Sequence, residues 1–159
     1  MNKKLLYLIS ALAILALALF LLSRDKASTL HKDLYEFAVK DTAAVNKIFI
    51  ADHKGNTIWL EKENNTWYLG KNKKVLARKF HMNLVLKTLN NLSLKSPVAR
   101  ASIPRYMEAI AENHKKVEIY TDDLQTPAKI IFIGTPSQDH LGNLALLEIP
   151  GEGRSQIPY

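Results

Sequence analysis

The first pattern along the chain is an uncharged run, Leu5 to Leu22, eighteen residues in which only Tyr7 and Ser10 carry a hydroxyl. A helix of that length covers roughly 27 Å, close to the roughly 30 Å hydrocarbon core of a bilayer. It predicts a transmembrane anchor over residues 1–22. The rival is a cleavable signal peptide, whose apolar region normally runs about 7 to 15 residues and ends in an Ala-x-Ala-like site. Here Ser23-Arg24-Asp25-Lys26 follows, without a small-x-small pair at the boundary. A retained anchor is the expectation.

Residues 23–40 are a polar connector without Gly or Pro, in which Leu30, Leu34, Phe37 and Ala38 recur at helical spacing. They predict a short juxtamembrane helix or an ordered arm. From Val45 the period changes to two. Lys47 to Ala51 and Thr57 to Lys62 flank Asp52-His53-Lys54-Gly55-Asn56, a β-hairpin whose turn has Gly for a positive φ and Asp and Asn for local backbone bonds. A second turn at Glu63-Asn64-Asn65 leads into a third strand, Thr66 to Leu69.

Between Ala77 and Leu92, the residues Met82, Val85, Leu86, Leu89 and Leu92 form one stripe of an amphipathic helix. Ser96-Pro97 breaks it, and Val98-Ala99 suits a short extended piece. Ser102 then reads as the cap of a second helix with Pro104 in its first turn and a stripe of Ile103, Met107, Ile110 and Ala111. Three strands close the chain: Lys116 to Thr121, Lys129 to Ile133 and Asn143 to Ile149. The order βββ-α-β-α-βββ predicts an α+β domain over 41–159, mainly antiparallel, with its helices packed on one face of the sheet.

Composition narrows the picture. About 137 residues follow the anchor, enough for one domain with a real core but not for two. With Lys3 and Lys4 set aside, 20 basic residues face 15 acidic ones. The distribution is more telling than the total, because Asn64 to Met107 contains no Asp or Glu while Lys71, Lys73, Lys74, Arg78, Lys79, Lys87, Lys95, Arg100 and Arg105 all fall there. The candidate contact with an anionic surface is Lys71, Lys73, Lys74, Arg78 and Lys79, beside the simpler reading of a solvated face. The slight charge bias across the anchor puts the amino terminus in the cytoplasm and the domain in the periplasm. Nucleic acid is no partner for a domain placed there.

Cysteine is absent, which removes disulfides, thiol catalysis and thiolate zinc sites. No phosphate loop, dinucleotide fingerprint, nucleophile elbow or paired-His zinc motif occurs. His31, His53, His81, His114 and His140 have no partner at helical spacing, and read as surface residues. Asp122-Asp123 and Asp139-His140 read as turn chemistry rather than acid-base pairs. Trp59 and Trp67, in adjacent strands with Tyr68 alongside, suit core or cross-strand packing better than a ligand-stacking platform. No catalytic residue, metal or cofactor is implied.

The run Phe37-Ala38-Val39-Lys40-Asp41-Thr42-Ala43-Ala44-Val45-Asn46-Lys47-Ile48-Phe49-Ile50-Ala51-Asp52, with Ile58-Trp59-Leu60 and Thr66-Trp67-Tyr68, resembles the bacterial domain-of-unknown-function family 4340 of Bacteroidetes. Ser96-Pro97-Val98, Val117-Glu118-Ile119-Tyr120 and Ile131-Phe132-Ile133-Gly134 extend the likeness over most of Phe37 to Tyr159. Gly142-Asn143-Leu144-Ala145 departs from it, where the family has a Thr-Tyr pair after the Gly. Such proteins usually run past the equivalent of Tyr159, so a short or truncated member is expected. The resemblance implies an anchored envelope protein, in some genomes near an ABC-type transport system, and no known reaction.

Two functions follow as expectations. The first is a non-enzymatic envelope domain, anchored in the bilayer through Leu5 to Leu22, that binds or scaffolds a membrane transport complex or an acidic envelope protein. The second is an envelope hydrolase acting on glycan or lipid with loop carboxylates, which requires two acids facing each other across a cleft.

Overall fold

The alternation that begins at Lys47 becomes strand β1 (Lys47–Asp52), and its partner β2 (Thr57–Glu63) returns through the expected turn. Asp52 closes that turn: its Oδ1 accepts the backbone N–H groups of Lys54 and Asn56, each at 2.9 Å, and its Oδ2 accepts the Asn56 amide at 2.8 Å. Gly55 supplies the positive φ of 83°. Strand β3 (Thr66–Leu69) follows after Asn64 and Asn65, both left-handed at φ 48° and 62°. Two such residues between paired Glu63 and Thr66 make the tight turn whose twist matches its strands. These features come from a computed structural model that describes residues 32–71 and 75–159. The anchor expected over Leu5 to Leu22 lies outside them, as do Lys73 and Lys74. Among the described residues no helix is long and apolar enough to cross a membrane.

Strand β4 (Val75–Leu76) pairs with β3 and precedes helix α1 (Lys79–Asn90). A 3₁₀ turn at Arg100–Ser102 runs into helix α2 (Ile103–Glu112), and the chain ends with β5 (Lys115–Tyr120), β6 (Lys129–Pro136), β7 (Asn143–Ile149) and β8 (Gly153–Arg154). The strands form one antiparallel sheet in the order β4-β3-β2-β1-β5-β6-β7-β8. The α+β class with an antiparallel sheet and two helices is as expected.

Several finer expectations need correction. The helices do not share a face. Paired residues lie on one face of a sheet, so Leu60, Ile48 and Ile119 form one row, and Ile50, Val117, Ile131 and Leu147 the next, on the same side. Met82 and Leu89 of α1 pack into that core, with Val85 and Leu86 half-buried beside them. Ile110 of α2 instead joins Ile130, Phe132, Leu144 and Leu146, which point to the other side. Each of these buried aliphatic and aromatic side chains contributes roughly 1.5–3 kcal/mol relative to exposure. In α2, Tyr106 takes part in the packing and Ala111 faces solvent. Ser102 caps nothing, since its backbone is already helical and its side chain makes no cap bond. Val98 lies in no strand, although its N–H donates to Pro158 O at 3.0 Å.

One compact unit runs from Asp33 to Tyr159. After a 3₁₀ turn at Lys32–Tyr35 the chain runs on without helix or strand, and Phe37 and Val39 are buried in the α1-side core. Of the helix and the arm expected for the connector, residues 36–40 form the arm. Val39 N–H donates to Leu89 O at 2.9 Å, the Asn90 amide donates to Val39 O and Lys40 O, and Lys129 Nζ donates to Glu36 O and Ala38 O. At the far end, Tyr159 exchanges both backbone bonds with Ala145 of β7, at 2.7 and 3.0 Å.

Candidate anionic-surface site

A helix start usually carries a Ser, Thr, Asp or Asn cap and acids in its first turn, because its free N–H groups concentrate positive potential. Helix α1 has the opposite. Arg78 occupies the cap position without a side-chain cap bond, Lys79 is the first helical residue, and the first turn has no acid. From Lys79 to Asn90 there is no Asp or Glu at all. Arg78, Lys79 and, two turns on, Lys87 are all exposed.

Arg78 and Lys79 border a groove of about 650 Å³, whose lining includes Lys62, Trp67, Met82 and Leu86. The pairing Lys62↔Trp67 brings the third cation to the groove. Lys62 Nζ donates to Ala43 O at 2.7 Å, which holds the ammonium at the rim beside the loop that enters β1. The site is therefore a cationic border around an aromatic and aliphatic floor. Such a site can hold an anionic group at its edge while covering apolar surface beneath.

Of the five residues singled out in the sequence, the fold brings Arg78 and Lys79 together and sends Lys71 elsewhere. Lys71 Nζ lies 5.1 Å from the ring centroid of Trp59, and Trp59 stacks on Phe49 with centroids 4.2 Å apart. Trp59 points to the face opposite Trp67, as the β2–β3 register requires. The two tryptophans therefore form no shared platform: Trp67 packs against the core, and Trp59 belongs to an open face with Lys47, whose Nζ sits 3.7 Å over the Tyr120 ring. Lys62 was missed as a site residue. The signal for it was available, because a two-residue Asn64-Asn65 turn fixes which strand residues pair.

The open face also contains Glu118, almost fully buried between neighbours. Tyr120 Oη donates to Glu118 Oε2 at 2.5 Å, and Lys116 Nζ meets Oε1 at 2.5 Å. Burial opposes the Glu118 charge, yet the bonds from Lys116 and Tyr120 outweigh it and hold the carboxyl below its ordinary value. Burial, followed by the hydrogen bond to Glu118 and the charge of that group, pushes the Tyr120 phenol up to about 12.

The loop acids are turn acceptors. Asp123 Oδ1 accepts Gln125 N–H at 2.7 Å, which lowers its carboxyl pKa. Asp139 is lowered further by Lys95, then Ser137 and the Leu141 N–H. The two acids lie in the loops at opposite ends of eight-residue β6, a strand roughly 25 Å long. Among the described residues no group of three or more His, Asp and Glu side chains gathers as metal ligands would. His114 is a structural residue, its Nδ1 2.8 Å from Ile110 O and its ring edge-on to Phe132. Comparison of the chain with known protein families, characterised proteins and solved structures gives no match.

Proposed function

We propose that the chain is a non-enzymatic, membrane-anchored envelope domain that docks a partner through the basic surface at the start of α1. Leu5 to Leu22 would hold it in the inner membrane, with the domain facing the periplasm. The observation that carries the reading is the convergence of Arg78, Lys79 and Lys62 on one groove, at a helix start that no acid or side-chain cap offsets. Arg78 and Lys79 oppose the helix dipole by a few tenths of a kcal/mol each, so the helix gains nothing from them. An anionic partner surface gives them a use. The resemblance to family 4340 supports an accessory role beside an ABC-type transport system.

Crosslinking in native membranes tests the reading. The full chain should remain with membranes through a carbonate wash and yield a crosslinked species whose formation falls with salt. Changing Lys62, Arg78 and Lys79 to Gln should deplete that species while leaving the thermal transition in place. Release of the chain by carbonate, or crosslinking indifferent to both salt and the triple substitution, would overturn it.

A further inference from the structure

On α1 the buried residues Met82 and Leu89 mark the side facing the core. Phe80 and Leu84, one turn apart on the opposite side, are 74% and 55% exposed. A lone exposed apolar residue needs no explanation, but these two form a ridge on a short helix with Arg78 and Lys79 before them and Lys87 beyond them. Val75 and Leu76 of the adjoining edge strand are exposed as well. Exposed apolar side chains with cations nearby, on a helix without a single acid, suit contact with an anionic bilayer interface. The cations meet lipid phosphates, and the aromatic and aliphatic side chains enter the acyl boundary.

We propose that the outer face of α1 docks onto an anionic lipid bilayer, with Phe80 and Leu84 inserted, Lys87 beside them on the headgroups, and Arg78 and Lys79 reaching the headgroups from the helix start. This rests on the reading of the basic surface as a docking surface, and it commits the partner to lipid rather than protein. Charge complementarity favours lipid because Lys87, three residues on from Leu84, stands on the ridge side, so the cations of α1 are not only those gathered at the groove. Each cation near an anionic surface strengthens docking about fivefold, so the three together favour it by about two orders of magnitude.

The absence of Cys from the sequence makes a direct test clean. The full chain carrying Leu84→Cys, labelled with a nitroxide, is reconstituted into phosphatidylcholine vesicles with and without phosphatidylglycerol. Collisional relaxation by oxygen, which partitions into lipid, is compared with that by a water-soluble nickel chelate. A label on Glu152→Cys, in the exposed turn before β8 at the far edge of the sheet, serves as the reference. With phosphatidylglycerol at low salt, position 84 should show severalfold greater oxygen than nickel accessibility, and position 152 should stay water-like. High salt, or Arg78→Gln, Lys79→Gln and Lys87→Gln together, should return position 84 to water. A water-like label at 84 in anionic vesicles overturns lipid docking. If salt-sensitive crosslinking to an acidic membrane protein persists beside that result, the docking reading stands and only its lipid partner is lost.

Discussion

Ile110 Cγ1 lies 2.7 Å from where a Cβ on Gly134 would stand, so α2 rests directly on the backbone of β6. Glycine at 134 is a packing requirement rather than a turn requirement. Gly134→Ala should destabilise the Asp33–Tyr159 unit by roughly 1–3 kcal/mol, the usual cost of overpacking. Urea denaturation measures it. Adding Ile110→Ala should recover part of the loss, so the double variant should be more stable than the two single effects sum to. Strict additivity would mean that the contact is relieved by a backbone shift instead.

Ser155 is buried, and its hydroxyl accepts the Leu147 N–H at 3.0 Å in the place of a backbone partner. Ser155→Ala leaves that donor buried and unpaired, at a cost of about 1–3 kcal/mol. Amide exchange should quicken at Leu147, and an unchanged rate there would refute the assignment.

The turn at Asn64-Asn65 holds both residues at positive φ. Replacing the second by glycine removes the steric cost of that backbone and should raise stability by up to about 1 kcal/mol. A lower melting temperature for Asn65→Gly would show that the Asn side chain matters beyond its backbone.

Alkaline titration reads the Glu118–Tyr120 pair. The Tyr120 phenol is pushed up to about 12 from 10.0, and Tyr159 likewise to about 12, by burial and then by its hydrogen bond with Tyr35. A phenol raised in the folded state gives stability that is fully present below pH 10 and is lost as pH climbs to about 12. Absorbance of phenolate should therefore show late-ionising tyrosines. Glu118→Gln should bring one of them only part of the way back, because burial is the larger cause and remains. The Glu118 carboxyl has the opposite sign: its contribution is present above the ordinary carboxylate value and fades as pH falls through the lowered one.

Local chemistry was the legible part of this fold. The Asp52 turn and the α1 stripe are written in contiguous residues, and both formed. Which side of the sheet each helix takes depends on contacts far apart in sequence, and periodicity along a helix marks its buried side without naming the face it meets. A hint was present in β6, where Ile130 to Ile133 is apolar at every position, the mark of a strand covered on both faces. Strands β4 and β8, two residues each, are too short for any period to register. For the site, the acid-free stretch pointed to α1, yet linear closeness joined Lys71 to Arg78 where the sheet separates them. Lys62 is distant in sequence and entered only through pairing with Trp67.

The arm over residues 36–40 has a mechanical meaning. Val39, Asn90 and Lys129 provide five hydrogen bonds that fasten it to the end of α1 and to β6, and Phe37 and Val39 are sunk beneath them. A pull on the chain ahead of Asp33 would meet this clamp before β1. A tug on the chain is thus shared between a helix and an interior strand, and the sheet is not peeled from either of its two-residue edges.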